Sequence, residues 1–155
     1  MIVVDSNVLA ARVMLAQTSN LARRVEELDP VWIVPPLWRY EFQNVLAKTI
    51  SARLTTPEAA MGIWRQIVSK MADNEHEPAA ERVLDLCMRY RITAYDANFI
   101  ALAMEMGVFC VTQDGELQEK FPRLAVSMES FVNPDNAQSL VRESRAGYRA
   151  RRARR

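Results

Sequence analysis

Residues 1–10 read MIVVDSNVLA, and the reading of this stretch decides the fold. Ile2, Val3 and Val4 form an apolar run without alternation, the pattern of a strand covered on both faces. Such strands belong to parallel sheets flanked by helices. Asp5 follows at once, and the segment Val8 to Leu15 then takes up helical spacing. A buried strand therefore runs into a helix with a carboxylate at the junction. In a parallel α/β sheet, ligands bind outside the carboxyl ends of the strands, so Asp5 stands where such a fold places its chemistry.

The same alternation continues along the chain. A helical stretch at about Ser19 to Leu28 precedes the short β-rich run Val31 to Val34, which prolines flank. The segment LWRYEFQNVLAKTI places Leu37, Trp38, Phe42, Val45, Leu46 and Thr49 at three- and four-residue steps and predicts a helix ending near Arg53. Thr56 is the N-cap and Pro57 the first residue of the next helix, which pairs with its predecessor as a hairpin. Ala79 to Tyr90 forms another helix. Thr93 opens one that Gly107 closes in a left-handed C-cap. VFCVT (108–112) reads as a buried strand, Asp114 to Lys120 as a short helix and LAVSM (124–128) as a last strand.

The 155 residues fit one core, and half of them are apolar with a quarter charged, ordinary for a globular domain. The formal charge of +1 hides an asymmetry. From Arg142 onward there are seven arginines and one glutamate, so the preceding body is acidic. The expected division is a domain over 1–133 and a basic extension over 134–155, part helical and part disordered. Cys87 and Cys110 lack metal-site or redox-motif spacing and read as reduced core thiols. The N-terminus lacks a basic segment before its apolar run, and no stretch approaches the roughly 18 apolar residues of a membrane span. The expectation is a cytoplasmic protein with no membrane contact.

Four acids stand out. Asp5 and Asp114 follow strands on one sheet edge, Asp96 lies in the first turn of a helix, and Glu41 sits beside the buried face of its helix. Each of the first, second and third has an ordinary structural reading. Asp5 and Asp114 could be N-caps, TAYD (93–96) has the capping-box form, and Asp114–Gly115 is a turn signal. Glu41 is neither at a terminus nor in a turn. Together, acids on one edge repel one another unless a cation lies between them, and an all-oxygen donor set suits Mg²⁺ better than zinc. His76 is the sole histidine, which leaves a zinc site, a Ser–His–Asp triad or a Cys–His pair with little support.

VVDSNVLA, WRYEFQNVLA, TAYDANFIALAMEMG and VTQDGEL resemble, in order and separation, the four acidic motifs of PIN-domain endoribonucleases, especially the VapC-type toxins of toxin–antitoxin modules. The resemblance spans about Ile2 to Val132. It implies an α/β/α sandwich around a mainly parallel sheet of four to five strands, with EHE (75–77) as a short fifth strand. It further implies that Asp5, Glu41, Asp96 and Asp114 gather around Mg²⁺ or Mn²⁺. In that scheme Asp5 and Asp96 are direct ligands, Asp114 and Glu41 hold a second ion or coordinated waters, and Ser6, Asn7 and Thr112 orient the acids or water. A metal-activated water attacking a phosphodiester in line needs no histidine base. RNA as substrate, an antitoxin partner and a homodimer built on the helix hairpin at 36–72 are implied in the same way.

Arg39 could hold a phosphate or be a solvated helix charge. Tyr148, Arg149, Arg151 and Arg152 could bind RNA through stacking and counterion release, or simply form a solvated end. Two other readings compete: a catalytically silent PIN-like module that binds RNA or protein, and a phosphoacceptor protein. The latter wants paired acids after the first strand and a late lysine, which VVDSNV and FCVTQD lack.

Overall fold

The computed structural model describes residues 1–14 and 19–133. The basic extension, with Tyr148, Arg149, Arg151 and Arg152, lies outside the described residues.

Twelve elements follow one another among the described residues: β1 (Ile2–Val4), α1 (Ser6–Val13), α2 (Ser19–Leu28), β2 (Trp32–Ile33), α3 (Trp38–Ser51), α4 (Pro57–Met71), α5 (Ala80–Tyr90), α6 (Ala94–Met106), β3 (Cys110–Val111), α7 (Gly115–Lys120), β4 (Ala125–Val126) and α8 (Met128–Val132). The four strands form one all-parallel sheet in the order β2-β1-β3-β4. Every strand residue is buried, as an apolar run without alternation requires when helices cover both faces. α6 lies on β1 and β3 with α5 against it, while α1 packs with α2 and α3, and α2 with α8.

Strand order places the site. The chain leaves β1 for β2 on one side, then returns through four helices to β3 on the other side of β1. The direction of winding therefore reverses between β1 and β3, which is where an open α/β sheet offers a crevice at its carboxyl edge. Val4 pairs with Val111, and the Asp5 N–H donates to the Val111 carbonyl at 3.0 Å. Asp5 and Thr112 thus leave adjacent strands side by side.

Local signals set the helix ends. Thr56 accepts a bond from the Ala59 N–H with Pro57 at the first helical position, and Thr93 accepts one from the Asp96 N–H. Gly107 closes α6 with φ 67°, a left-handed conformation that disfavours any Cβ. Gly107→Ala should cost about 1–2 kcal/mol, read as a lower denaturant midpoint with an unchanged slope. An unaltered midpoint would contradict the cap assignment.

Two expectations change. The fifth strand shrinks to a single parallel bridge, Val34 to Glu75, held by Val34 N–H to the Asn74 carbonyl and His76 N–H to the Val34 carbonyl. The last strand ends at Val126, because Ser127 caps a further short helix, α8, by accepting from the Ser130 N–H. The hairpin of α3 and α4 is present, held by rings: Trp38 lies 6.0 Å from Phe42 and 5.8 Å from Trp64. Trp38 and Met71 are core, whereas Met61 is 48% exposed.

Candidate active site

Asp5 occupies the N-cap position of α1, yet its side chain makes no capping hydrogen bond. The carboxylate turns instead across the sheet edge. Its Oδ2 accepts from the Thr112 hydroxyl at 2.5 Å and from the Asn7 side-chain amide at 2.8 Å. The strongest bond to this carboxylate thus comes from across the sheet edge, from a residue 107 positions away in sequence, rather than from its own helix.

Thr112 is wholly buried, and its one hydroxyl joins several groups. It donates to Asp5 and accepts from the Asp114 N–H at 3.0 Å and from Asn7 Nδ2 at 3.3 Å. Asn7 also accepts from the Gln113 N–H. The ends of β1 and β3 are thereby locked by side chains directly after each strand.

Glu41 reaches the same edge from α3. Its Oε2 accepts from the Ser6 hydroxyl at 2.6 Å, and Ser6 is itself buried. Burial pushes the Glu41 carboxyl up from its ordinary value; the Ser6 hydrogen bond pulls it down, and Asp5 and Asp96 add smaller upward pushes. Burial also raises Asp5, helped by Asp96, against the downward pull of the Thr112 hydroxyl and the backbone N–H groups of Asn7 and Ser6. Asp5, Glu41 and Asp96 therefore lie within electrostatic reach of one another.

The remaining acids keep local partners. Asp96 accepts from the Thr93 hydroxyl at 2.6 Å, and that hydroxyl accepts from the Asp96 N–H as the N-cap of α6. Asp114 caps α7, accepting from the Glu116 and Leu117 N–H groups at 2.8 and 3.1 Å. As placed, no three His, Cys, Asp or Glu side chains among the described residues are grouped closely enough to hold a metal ion. None of the four acids forms an ion pair among the described residues either. In donor type the site still fits a hard divalent cation: carboxylates, a hydroxyl and an amide, with like charges that no lysine or arginine among the described residues pairs with.

Arg39 is engaged elsewhere. Its Nε donates to Glu75 at 2.6 Å and its guanidinium lies 5.4 Å over the Trp38 ring. Gln113 had no signal in the sequence. Its Oε1 accepts from the Met128 N–H and its Nε2 donates to Glu129, tying the site loop to α8.

Residues 2–124 match the PIN domain family. The chain belongs to that family. The matched span holds all four acids together with Ser6, Asn7 and Thr112, and stops short of the basic extension. Ribonuclease VapC3 of Pyrobaculum aerophilum is 29% identical over 126 residues, covering 79% of this chain and 96% of that protein. The crystal structure of PAE2754 from Pyrobaculum aerophilum matches with a TM-score of 0.64 at 26% identity, over 84% of this chain and 92% of that one. The PIN domain described here is thus nearly as long as either relative.

Proposed function

We propose that this PIN domain is a divalent-metal-dependent endoribonuclease of the VapC type and the toxin of a toxin–antitoxin pair. The observation that carries the reading is electrostatic: Asp5 and Glu41 are both pushed toward their neutral forms at one sheet edge, with Asp96 adding to each. Perturbed carboxylates gathered at a ligand-binding edge mark functional sites more often than structural ones. Family membership and the likeness to a ribonuclease support the same reading.

Asp5 and Asp96 would hold Mg²⁺ or Mn²⁺, with Glu41 and Asp114 completing the donor set. A bound ion supplies Lewis acidity toward the phosphodiester and lowers the pKa of water. The chain's own part is orientation. Thr112 and Asn7 fix the Asp5 carboxylate, Ser6 fixes Glu41, and the Thr93 hydroxyl fixes Asp96. Water adds to phosphorus as the bond to the 3′-oxygen breaks, leaving a 5′-phosphate and a 3′-hydroxyl. A homodimer, an antitoxin that silences the site and a cytoplasmic setting belong to this proposal.

Structured RNA incubated with the partner-free protein should be cut in Mg²⁺ or Mn²⁺ and left intact in EDTA. A folded sample that cuts nothing in either metal would favour a silent PIN-like binding module. Thr112→Val keeps side-chain volume but removes the donor to Asp5. It should lower cleavage roughly 10- to 100-fold, the usual effect of losing an outer-shell hydrogen bond. Full activity would remove Thr112 from the orienting role.

A further inference from the structure

The β3–β4 ladder closes with the Thr112 N–H, which donates to the Val126 carbonyl at 3.0 Å. The next peptide unit, between Thr112 and Gln113, lies past the last strand residue and is held by side chains. Its carbonyl accepts from Gln118 Nε2 at 3.0 Å, and its N–H donates to Asn7 Oδ1 at 3.2 Å. The second of these bonds decides how Asn7 serves Asp5. A side-chain amide has one accepting and one donating end. With Oδ1 taken by the Gln113 N–H, Nδ2 turns toward Asp5 Oδ2 and the Thr112 hydroxyl. The reverse orientation would set N–H against N–H and one oxygen against the carboxylate.

The Gln113 side chain fixes where that peptide lies. Its Oε1 accepts from the Met128 N–H at 3.0 Å and its Nε2 donates to Glu129 at 3.2 Å. Met128 opens α8, so its N–H is one of those a helix start leaves without a partner inside the helix. A glutamine from another loop supplies that partner. α8 packs on α2, and α2 on α1, the helix that carries Asn7. The site loop is thus gripped on one side by Asn7 and on the other by α8.

We propose that Gln113 is a positioning residue for the acidic site: clamped to the start of α8, it holds the 112–113 peptide at the angle that directs Asn7 and Thr112 onto the Asp5 carboxylate. The inference rests on the nuclease reading for its reaction, though not for its contacts. Gln113 is exposed, so water can take over its side-chain bonds and the fold loses little when it is truncated. What is lost is direction.

The test compares wild type with Gln113→Ala, Gln113→Glu and the exchange variant Gln113→Glu/Glu129→Gln. Gln113→Glu keeps an acceptor for the Met128 N–H but sets a like charge against Glu129. The exchange restores a donor opposite an acceptor at unchanged net charge. Calorimetric titration of Mn²⁺ into metal-free protein should show about tenfold weaker binding in both single variants and recovery in the exchange variant. In Mg²⁺, kcat should fall by a similar factor with KM little changed, and the thermal midpoint of the metal-free protein should stay within about 2 °C of wild type. Wild-type Mn²⁺ affinity and cleavage in Gln113→Ala would overturn the inference and leave the nuclease reading standing. An exchange variant no better than Gln113→Glu would overturn it too, because the clamp to α8 would not be the cause. A lowered midpoint with unchanged Mn²⁺ affinity would make the contact purely structural and overturn it. A loss of Mn²⁺ affinity restored by the exchange, in a protein that cuts no RNA, would support the positioning role and remove the nuclease.

Discussion

Asp5→Asn is expected to lower RNA cleavage by at least about a thousandfold, the equivalent of roughly 4 kcal/mol of transition-state stabilisation, without lowering the stability of the metal-free protein. The substitution removes a charge that would hold the cation, yet keeps the shape and an oxygen that can accept from Thr112 and Asn7. It also relieves a burial penalty. Because the folded state raises the Asp5 carboxyl above its ordinary 3.8, the folded protein binds that proton more tightly than the unfolded chain does. The corresponding stabilisation is complete below the ordinary carboxylate range and is lost as pH rises through the folded pKa. Asparagine does not titrate. Measured in EDTA, the thermal midpoint of the variant should match wild type in acid and overtake it toward neutral pH. Parallel curves would refute the electrostatic account of Asp5, and normal cleavage would refute its catalytic one.

Trp38→Ala should have the largest effect on stability. Trp38 has no exposed surface, packs on Phe42 and Trp64, and donates from its indole N–H to Glu75 Oε2 at 2.8 Å. Truncating a buried tryptophan costs about 3–5 kcal/mol, a large share of the 5–15 kcal/mol that holds an ordinary domain together. For a chain of this length the midpoint should fall by roughly 10 °C or more. Trp38→Phe retains most of the ring contact and should lose far less. Because Trp38 opens the helix that carries Glu41, the alanine variant should also lose activity at temperatures where it is still folded. A drop within about 2 °C would place Trp38 outside the core.

How much of this was legible in the chain depended on how local the cause was. Thr56–Pro57, Thr93 and Gly107 act within one turn of themselves, and the helix ends they predict are those observed. The run Ile2–Val4 announced a parallel sheet because no polar residue interrupts it. The bridge at Glu75 was not legible from pattern: its surroundings are polar, and it exists only because Val34 lies opposite. α8 was hidden for another reason, since five residues are too few to show a helical period, and Met128 reads as well in a strand as in a helix.

The acids divided along the same line. Glu41 was conspicuous because nothing local explained it, and its partner proves to be Ser6, 35 residues away. Asp114 had a local explanation and does make both capping bonds. For Asp5 the same local explanation was available and is insufficient, because its hydrogen bond to the Thr112 hydroxyl comes from the neighbouring strand end. Spacing along a chain does not reveal such a bond; strand register does, once Val4 is paired with Val111.

The direct test is calorimetric titration of Mn²⁺ into metal-free protein, wild type beside Asp5→Asn and Asp96→Asn, at neutral pH. Saturable binding by wild type, weakened at least about tenfold in each variant, is the predicted result. Equal binding by all three, or no binding by a folded wild-type sample, would contradict the assignment of these carboxylates to a divalent cation.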